Sequence, residues 1–174
     1  MRIDNVGEFS KHRESDSFYS ELMPVYVLSG HMCRVVLDGY EKDPHKEDFH
    51  VAITNLLSID VSILEEAEQY IFQYYQDVNK CWLPEDPEFI VVASPQEIWR
   101  YIQFGKDLIV TRREYGERGI YILIHCKCDW EQEHGLEIVF KNGLKVNKIG
   151  SCNNHLTNSD AYDDDSLENI VYHH

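Results

Sequence analysis

Between His125 and Ile149 the chain packs thiols, carboxylates and imidazoles into one stretch: His-Cys-Lys-Cys-Asp-Trp-Glu-Gln-Glu-His-Gly-Leu-Glu-Ile-Val-Phe-Lys-Asn-Gly-Leu-Lys-Val-Asn-Lys-Ile. Metal binding is the first chemistry to weigh. Cys126 and Cys128 lie two apart on an expected strand and so share a face, with His125 on the other. A tetrahedral zinc would need two more ligands, such as Cys152 and His155. Cys-x-Cys on a strand is a weak signature beside paired Cys-x-x-Cys knuckles. Ile120, Ile122 and Ile124 continue the same face, which is the pattern of core packing, and free cysteine is among the most buried residue types. Reduced, metal-free core thiols are therefore expected.

The acid-rich turn offers a second possibility. Asp129, Glu131 and Glu133 fall with Trp130 and His134 in a connection between strands, where binding residues often sit. Glu-Gln-Glu-His is not the His-Glu-x-x-His of a metalloprotease, and no spacing matches a calcium loop. A bland alternative has Asp129 and His134 tie the turn down, Trp130 plug the end of the sheet and Gly135 take a positive φ. A second loop, His155 to Asp160, again carries imidazole and carboxylate. A binding site is expected where these two loops meet, formed by Asp129, Trp130, Glu131, Glu133, His134, His155 and Asp160. Nucleophilic catalysis has less support. There is no Gly-x-Ser-x-Gly elbow, and no glycine loop to cradle a phosphate. Cys152 and His155, three apart in a loop, make no recognisable pair. No catalytic residue, metal ligand or cofactor is assigned.

The elements that must position these residues follow from periodicity and turn chemistry. Residues 1–20 read as an irregular lead-in. Met23–Leu28 and Cys33–Leu37 read as short strands around a Ser29-Gly30-His31 turn. Asp43-Pro44 reads as a cap with proline at the first helical position, opening a helix over Pro44–Leu57. Asp60 caps a second helix with an apolar stripe of Leu64, Ala67, Ile71, Tyr74 and Val78. Glu88–Val92 is rich in strand formers. Ser94-Pro95-Gln96-Glu97 matches a capping box, so Ser94–Phe104 is expected to be a helix. Then come strands over Leu108–Tyr115, Ile120–Cys128, Gly135–Lys141 and Leu144–Ile149. Asn142-Gly143 closes the last pair, because both positions of a two-residue hairpin turn need positive φ. Ser166–Val171 reads as a short final helix. The fold class expected is α+β, a helical N-terminal half packed on a mainly antiparallel sheet from the C-terminal half. One domain over 1–174 is expected.

Bulk properties narrow the partners. The chain has 174 residues, 43% of them hydrophobic and 12% aromatic, enough to bury a core without staples. No apolar run approaches the roughly 20 residues of a membrane span, and the polar start lacks the apolar stretch of a signal peptide. A cytoplasmic, bacterial protein is expected, with its five scattered cysteines reduced. The formal net charge of −15 repels phosphate backbones, so nucleic acid is disfavoured as a partner. Membranes are not expected either. A basic protein, steered in by the field, is the partner that suits this charge.

Cys128-Asp129-Trp130-Glu131-Gln132-Glu133-His134-Gly135-Leu136, followed by Ile138-Val139-Phe140-Lys141-Asn142-Gly143-Leu144, resembles the signature of an uncharacterised bacterial family annotated only as a domain of unknown function. His155-Leu156-Thr157-Asn158-Ser159-Asp160-Ala161-Tyr162 is similar to that family's C-terminal pattern. Phe72–Asp77 and Arg112–Gly116 resemble it further upstream. Cys152-Asn153-Asn154 departs from the more acidic, glycine-containing turn expected there. The resemblance implies membership and no activity. Together with the missing catalytic signatures, the balance is against an enzyme. The expected role is a non-enzymatic interaction module, toxin-neutralising or regulatory, that binds a basic partner. The alternative is a metal-binding or metal-dependent hydrolytic protein using the His134/His155 region.

Overall fold

The computed structural model describes residues 1–13 and 15–174. The strands are β1 (Arg2–Ile3), β2 (Gly7–Lys11), β3 (Phe18–Ser20), β4 (Met23–Val25), β5 (His31–Leu37), β6 (Ile102–Arg112), β7 (Ile120–Cys128), β8 (Glu131–Lys141) and β9 (Lys145–Gly150). The helices are α1 (Lys46–Ser58), α2 (Ser62–Asn79) and a single turn, α3 (Asn158–Tyr162). The sheet runs β1-β2-β3-β5-β6-β7-β8-β9, with β4 paired to β5 off that path. The pairs among β1–β5 are antiparallel, and β5 runs parallel to β6.

The helical N-terminal half does not exist. Residues 1–20, expected to be irregular, hold β1, β2 and β3, and five strands precede the first α-helix. The reason is visible in β2, where Phe9 is the one buried side chain among exposed or half-exposed neighbours. A strand that buries so little carries almost no periodic signal. Its place is set by pairing with β1 and β3, which its polarity conceals.

The chain divides into two compact units. The first comprises Met1–Val61, Lys106–Ile124 and Phe140–Lys145. In it α1 buries Phe49, Ala52, Ile53 and Leu56, the spacing of one helical face. Ile53 and Leu56 share a tight apolar space with Val35, Leu108, Val110 and Ile122. Arg112 pins the start of α1. Its guanidinium donates to Asp43 at 2.6 and 3.2 Å and to Asp48 at 2.8 Å. The parallel β5–β6 pair carries its own cross-strand link, with Arg34 reaching Asp107 at 2.6 Å.

The turn between β8 and β9 follows its chemistry. Asn142 has φ 53° and Gly143 φ 67°, and the Leu144 N–H donates to the Lys141 carbonyl at 3.0 Å. Gly143 is held for a second reason, because a Cβ there would lie 2.1 Å from the Ala52 carbonyl oxygen of α1. The Asn55 amide donates to the Asn142 carbonyl at 2.9 Å from the same helix.

The second unit comprises Ser62–Gly105, His125–Val139 and Val146–His174. Here α2 buries Ile63, Leu64, Ala67, Ile71, Tyr74 and Tyr75. Glu88–Val92 forms no strand. Side chains of α2 take over the backbone partners that a ladder would supply. Tyr75 Oη donates to the Ile90 carbonyl and accepts from the Val92 N–H, while the Asn79 amide pairs with both backbone groups of Ile90. The helix expected over Ser94–Phe104 is a 3-10 turn at Pro95–Tyr101 that gives way to β6 at Ile102. Ser94 makes no capping bond, and Ile102 and Phe104 are strand formers. The last expected helix shrinks to a 3-10 turn at Asp165–Leu167. Beyond it the tail runs along β9, where the Ile149 N–H donates to the Val171 carbonyl at 2.8 Å.

Replacing Gly143 with Ala should cost at least about 1–3 kcal/mol from backbone strain alone, with the clash against α1 added to it. Urea unfolding measures this, and a loss within about 0.5 kcal/mol of zero, the scale of an inert surface substitution, would contradict the close approach.

Candidate functional site

The chemistry-bearing residues of the 125–160 region all lie in the second unit. The β7–β8 connection is tied down from several sides. The Asp129 N–H donates to the Tyr101 carbonyl at 3.1 Å. Trp130 is fully buried, its ring edge-on to Tyr74 and Tyr75 at centroid distances of 6.2 and 5.8 Å. Its carbonyl accepts from Trp82 Nε1. Among the described residues its own indole N–H has no hydrogen-bond acceptor, and the edge-to-face tyrosine rings are its polarisable surroundings. Glu131, Glu133 and His134, expected in the connection, instead open β8, and the Glu131 carboxylate turns back on the strand, accepting from the N–H groups of Glu133 and His134 at 2.9 and 3.0 Å. His134 Nδ1 lies 3.3 Å from the same carboxylate, with the ring half-exposed. Gly135 has φ 71°, and a Cβ there would meet the Cys126 carbonyl at 2.5 Å.

The structure therefore groups Glu131, Glu133 and His134 around one carboxylate, with Asp129, Glu133 and His134 exposed. His155 is exposed, and its N–H donates to Asn153 Oδ1 at 3.1 Å. Asp160 sits half-buried in α3, its N–H received by Thr157 Oγ1.

A cluster that sequence reasoning missed lies just beyond this turn. Glu137 of β8 is completely buried. Its carboxylate accepts from Lys148 Nζ of β9 at 2.8 Å, from His125 Nε2 of β7 at 2.9 Å and from the Asn154 N–H at 3.3 Å. Lys148, 2% exposed, donates a second bond to Asn153 Oδ1 at 2.8 Å. His125 is half-exposed, and Asn153 and Asn154 lie at the surface. Burial pushes the Glu137 pKa up, but the bonds from His125 and the Lys148 charge overcome it and hold the group below its ordinary 4.5. The signal was present in the hairpin. A two-residue turn at 142–143 sets the register, and counting outward from it places Glu137 opposite Lys148.

The chain belongs to the family described as a domain of unknown function (DUF6985). Its residues 5–156 match that family. No curated protein and no solved structure matches it. Within the DUF6985 span lie the β7–β8 connection, Glu137, Lys148 and His155, while the tail that runs along β9 falls outside it.

Among the described residues of this DUF6985 chain, none of the five cysteines is joined in a disulfide. Burial pushes Cys128 up to about 12 and, with the Glu137 charge, Cys152 up to about 11. Both are neutral thiols near pH 7, which makes them weak nucleophiles. Among the described residues no group of three or more His, Cys, Asp and Glu side chains is arranged to hold a metal ion. Nor, among those residues, is any helix long and apolar enough to cross a membrane.

Glu137→Gln leaves Lys148 buried without its counter-charge, and should cost about 3–5 kcal/mol in urea unfolding. A loss under about 1 kcal/mol would show the pair to be solvated. The pH dependence has a definite sign. With a folded pKa below 4.5, the wild-type carboxylate contributes stability in full above 4.5 and loses it as pH falls through the folded value. Unfolding curves of Glu137→Gln across that acid range should lack this component.

Proposed function

We propose that this DUF6985 protein is a non-enzymatic interaction module of the bacterial cytoplasm that docks a basic protein, in a toxin-neutralising or regulatory role. The observation that supports this most is where the charge lies. The second unit holds 17 acidic and 4 basic residues, a net of −13, while the first holds 14 and 12, a net of −2. Charge needed only for solubility has no reason to gather in one unit. A field of one sign over one surface raises the local concentration of a cationic partner and speeds its encounter.

In this reading the exposed Asp129, Glu133 and His134, with His155 and Asp160, form the contact surface of that unit. Glu131 and Trp130 act from below, fixing the turn that presents them. The fixed turn also limits the ordering cost of binding, because its backbone is already held.

The test is to cross-link the full-length protein to its partner in cells, identify the partner, and follow association against salt. The expected partner is basic, with an association rate that falls steeply as the screening length shortens toward about 8 Å at physiological ionic strength. Neutralising Asp129 and Glu133 to Asn and Gln should slow association several-fold, and neutralising Glu21 and Glu114 of the first unit should not. A neutral or acidic partner, or a rate indifferent to salt, would overturn the proposal.

A further inference from the structure

Beside the Glu137 cluster the second unit has a cavity of about 110 Å³. Its wall includes Lys148, Ser151, Asn153, Tyr162, Tyr172 and His173. Not one lining residue is an aspartate or glutamate, although the unit holds 17 of them. The hydroxyls of Tyr74, Tyr162 and Tyr172 and the Asn158 amide already donate to the Gly135 carbonyl, the His173 carbonyl, Asp77 and the Ile170 carbonyl, which leaves the Ser151 hydroxyl and the Asn153 amide as neutral side-chain donors of the wall.

Lys148 is the second observation. The other three basic residues of the unit, Lys80, Arg100 and Lys127, are exposed, and Lys148 alone is buried. An ammonium carries three N–H donors. Two are taken by Glu137 Oε1 and Asn153 Oδ1. Among the described residues the third has no partner. Lys148 and its partner Asn153 both belong to the cavity wall. A buried ammonium one bond short is costly unless something completes it, and the adjoining space is the place from which a ligand atom can reach it.

We propose that this cavity binds a small oxyanion of four or five heavy atoms, the size of acetate or inorganic phosphate, with Lys148 as its charged anchor and the Ser151 hydroxyl and Asn153 amide of the wall as further donors. The volume suits that class, since it equals nearly four waters at about 30 Å³ each. A pocket with no aspartate or glutamate in its wall and a buried ammonium beside it disfavours the cations that the exterior attracts. The Glu137 carboxylate leaves the Lys148–Glu137 pair close to neutral, so affinity comes from converging hydrogen bonds more than from net charge. The proposal is independent of the docking of a basic protein, because it concerns the cleft around Lys148 and not the exposed acids.

Two variants separate binding from folding. Lys148→Met removes the anchor, but also strands Glu137. Gly150→Leu fills the space instead, because a Cβ at Gly150, which lines the cavity, meets nothing within 4 Å. Full-length protein is titrated with inorganic phosphate and, separately, with acetate, at constant ionic strength against chloride, and followed by amide NMR shifts. The expected result is saturable shifts at residues 148–153 and 172–173 with at least one of the two anions, and at least ten-fold weaker binding in folded Gly150→Leu. Lys148→Met, where it folds, should lose the response. No saturable shift beyond that of chloride with either anion, or undiminished binding in Gly150→Leu, would overturn the proposal.

Discussion

A carboxylate buried completely from water organises the second unit. Glu137 cannot remain ionised there without donors on every side, and it has them from β7, from β9 and from the loop after β9. Each donor is a constraint on the chain. Lys148 locks the β8–β9 register, since a slip by one residue would turn its ammonium to the opposite face. The Asn154 N–H and the Lys148–Asn153 bond draw the 152–155 loop in beneath the strand ends. Neighbouring groups respond to the same charge, which adds to burial in raising the Cys152 thiol. Breaking a buried pair costs far more than its formation gains, so such an arrangement specifies one packing among many similar ones.

The same economy of donors explains the irregular parts of the unit. Where the chain leaves the sheet, side chains stand in for a neighbouring strand, as Tyr75 and Asn79 do for the 90–92 segment, and at the start of β8 the Glu131 carboxylate takes the N–H groups of Glu133 and His134. Buried backbone groups have to be paired, and here polar side chains from well-packed elements do the pairing. The result is a support held by hydrogen bonds under exposed acids. Burial holds the Cys128 and Cys152 thiols above their ordinary pKa.

Much of this was legible in advance, and the exceptions have physical causes. Helices α1 and α2 announce themselves by a strong 3.6-residue stripe. Strand β7 runs from Ile120 to Cys128 as its apolar run indicates, and Asn142-Gly143 has the positive φ angles its turn type demands. Strands β1 to β3 were illegible because they bury one side chain at a time, and Pro95–Tyr101 because a capping signature competes with the strand formers that follow. In the site, the positive φ of Gly135 was readable, but the acid-rich connection shrinks to Asp129 and Trp130, because Glu131 to His134 open β8. Glu137 was passed over as a polar residue within a strand, although the hairpin register already sets it against Lys148. A charged residue in an otherwise apolar run, opposite its counter-charge across a turn of fixed length, is a signal that pattern alone ignores and register supplies.

The ionisation of Glu137 inside the folded protein is the most direct measurement. Carbon-detected NMR of the side-chain carboxyl, with Glu137 assigned and pH lowered while the fold persists, reads its titration without reference to stability. The account predicts a midpoint below the ordinary 4.5, with the Lys148 Nζ and His125 Nε2 signals moving together with it. A midpoint above 4.5 would mean that burial wins over the surrounding donors, that the carboxyl is held neutral, and that another interaction organises this unit.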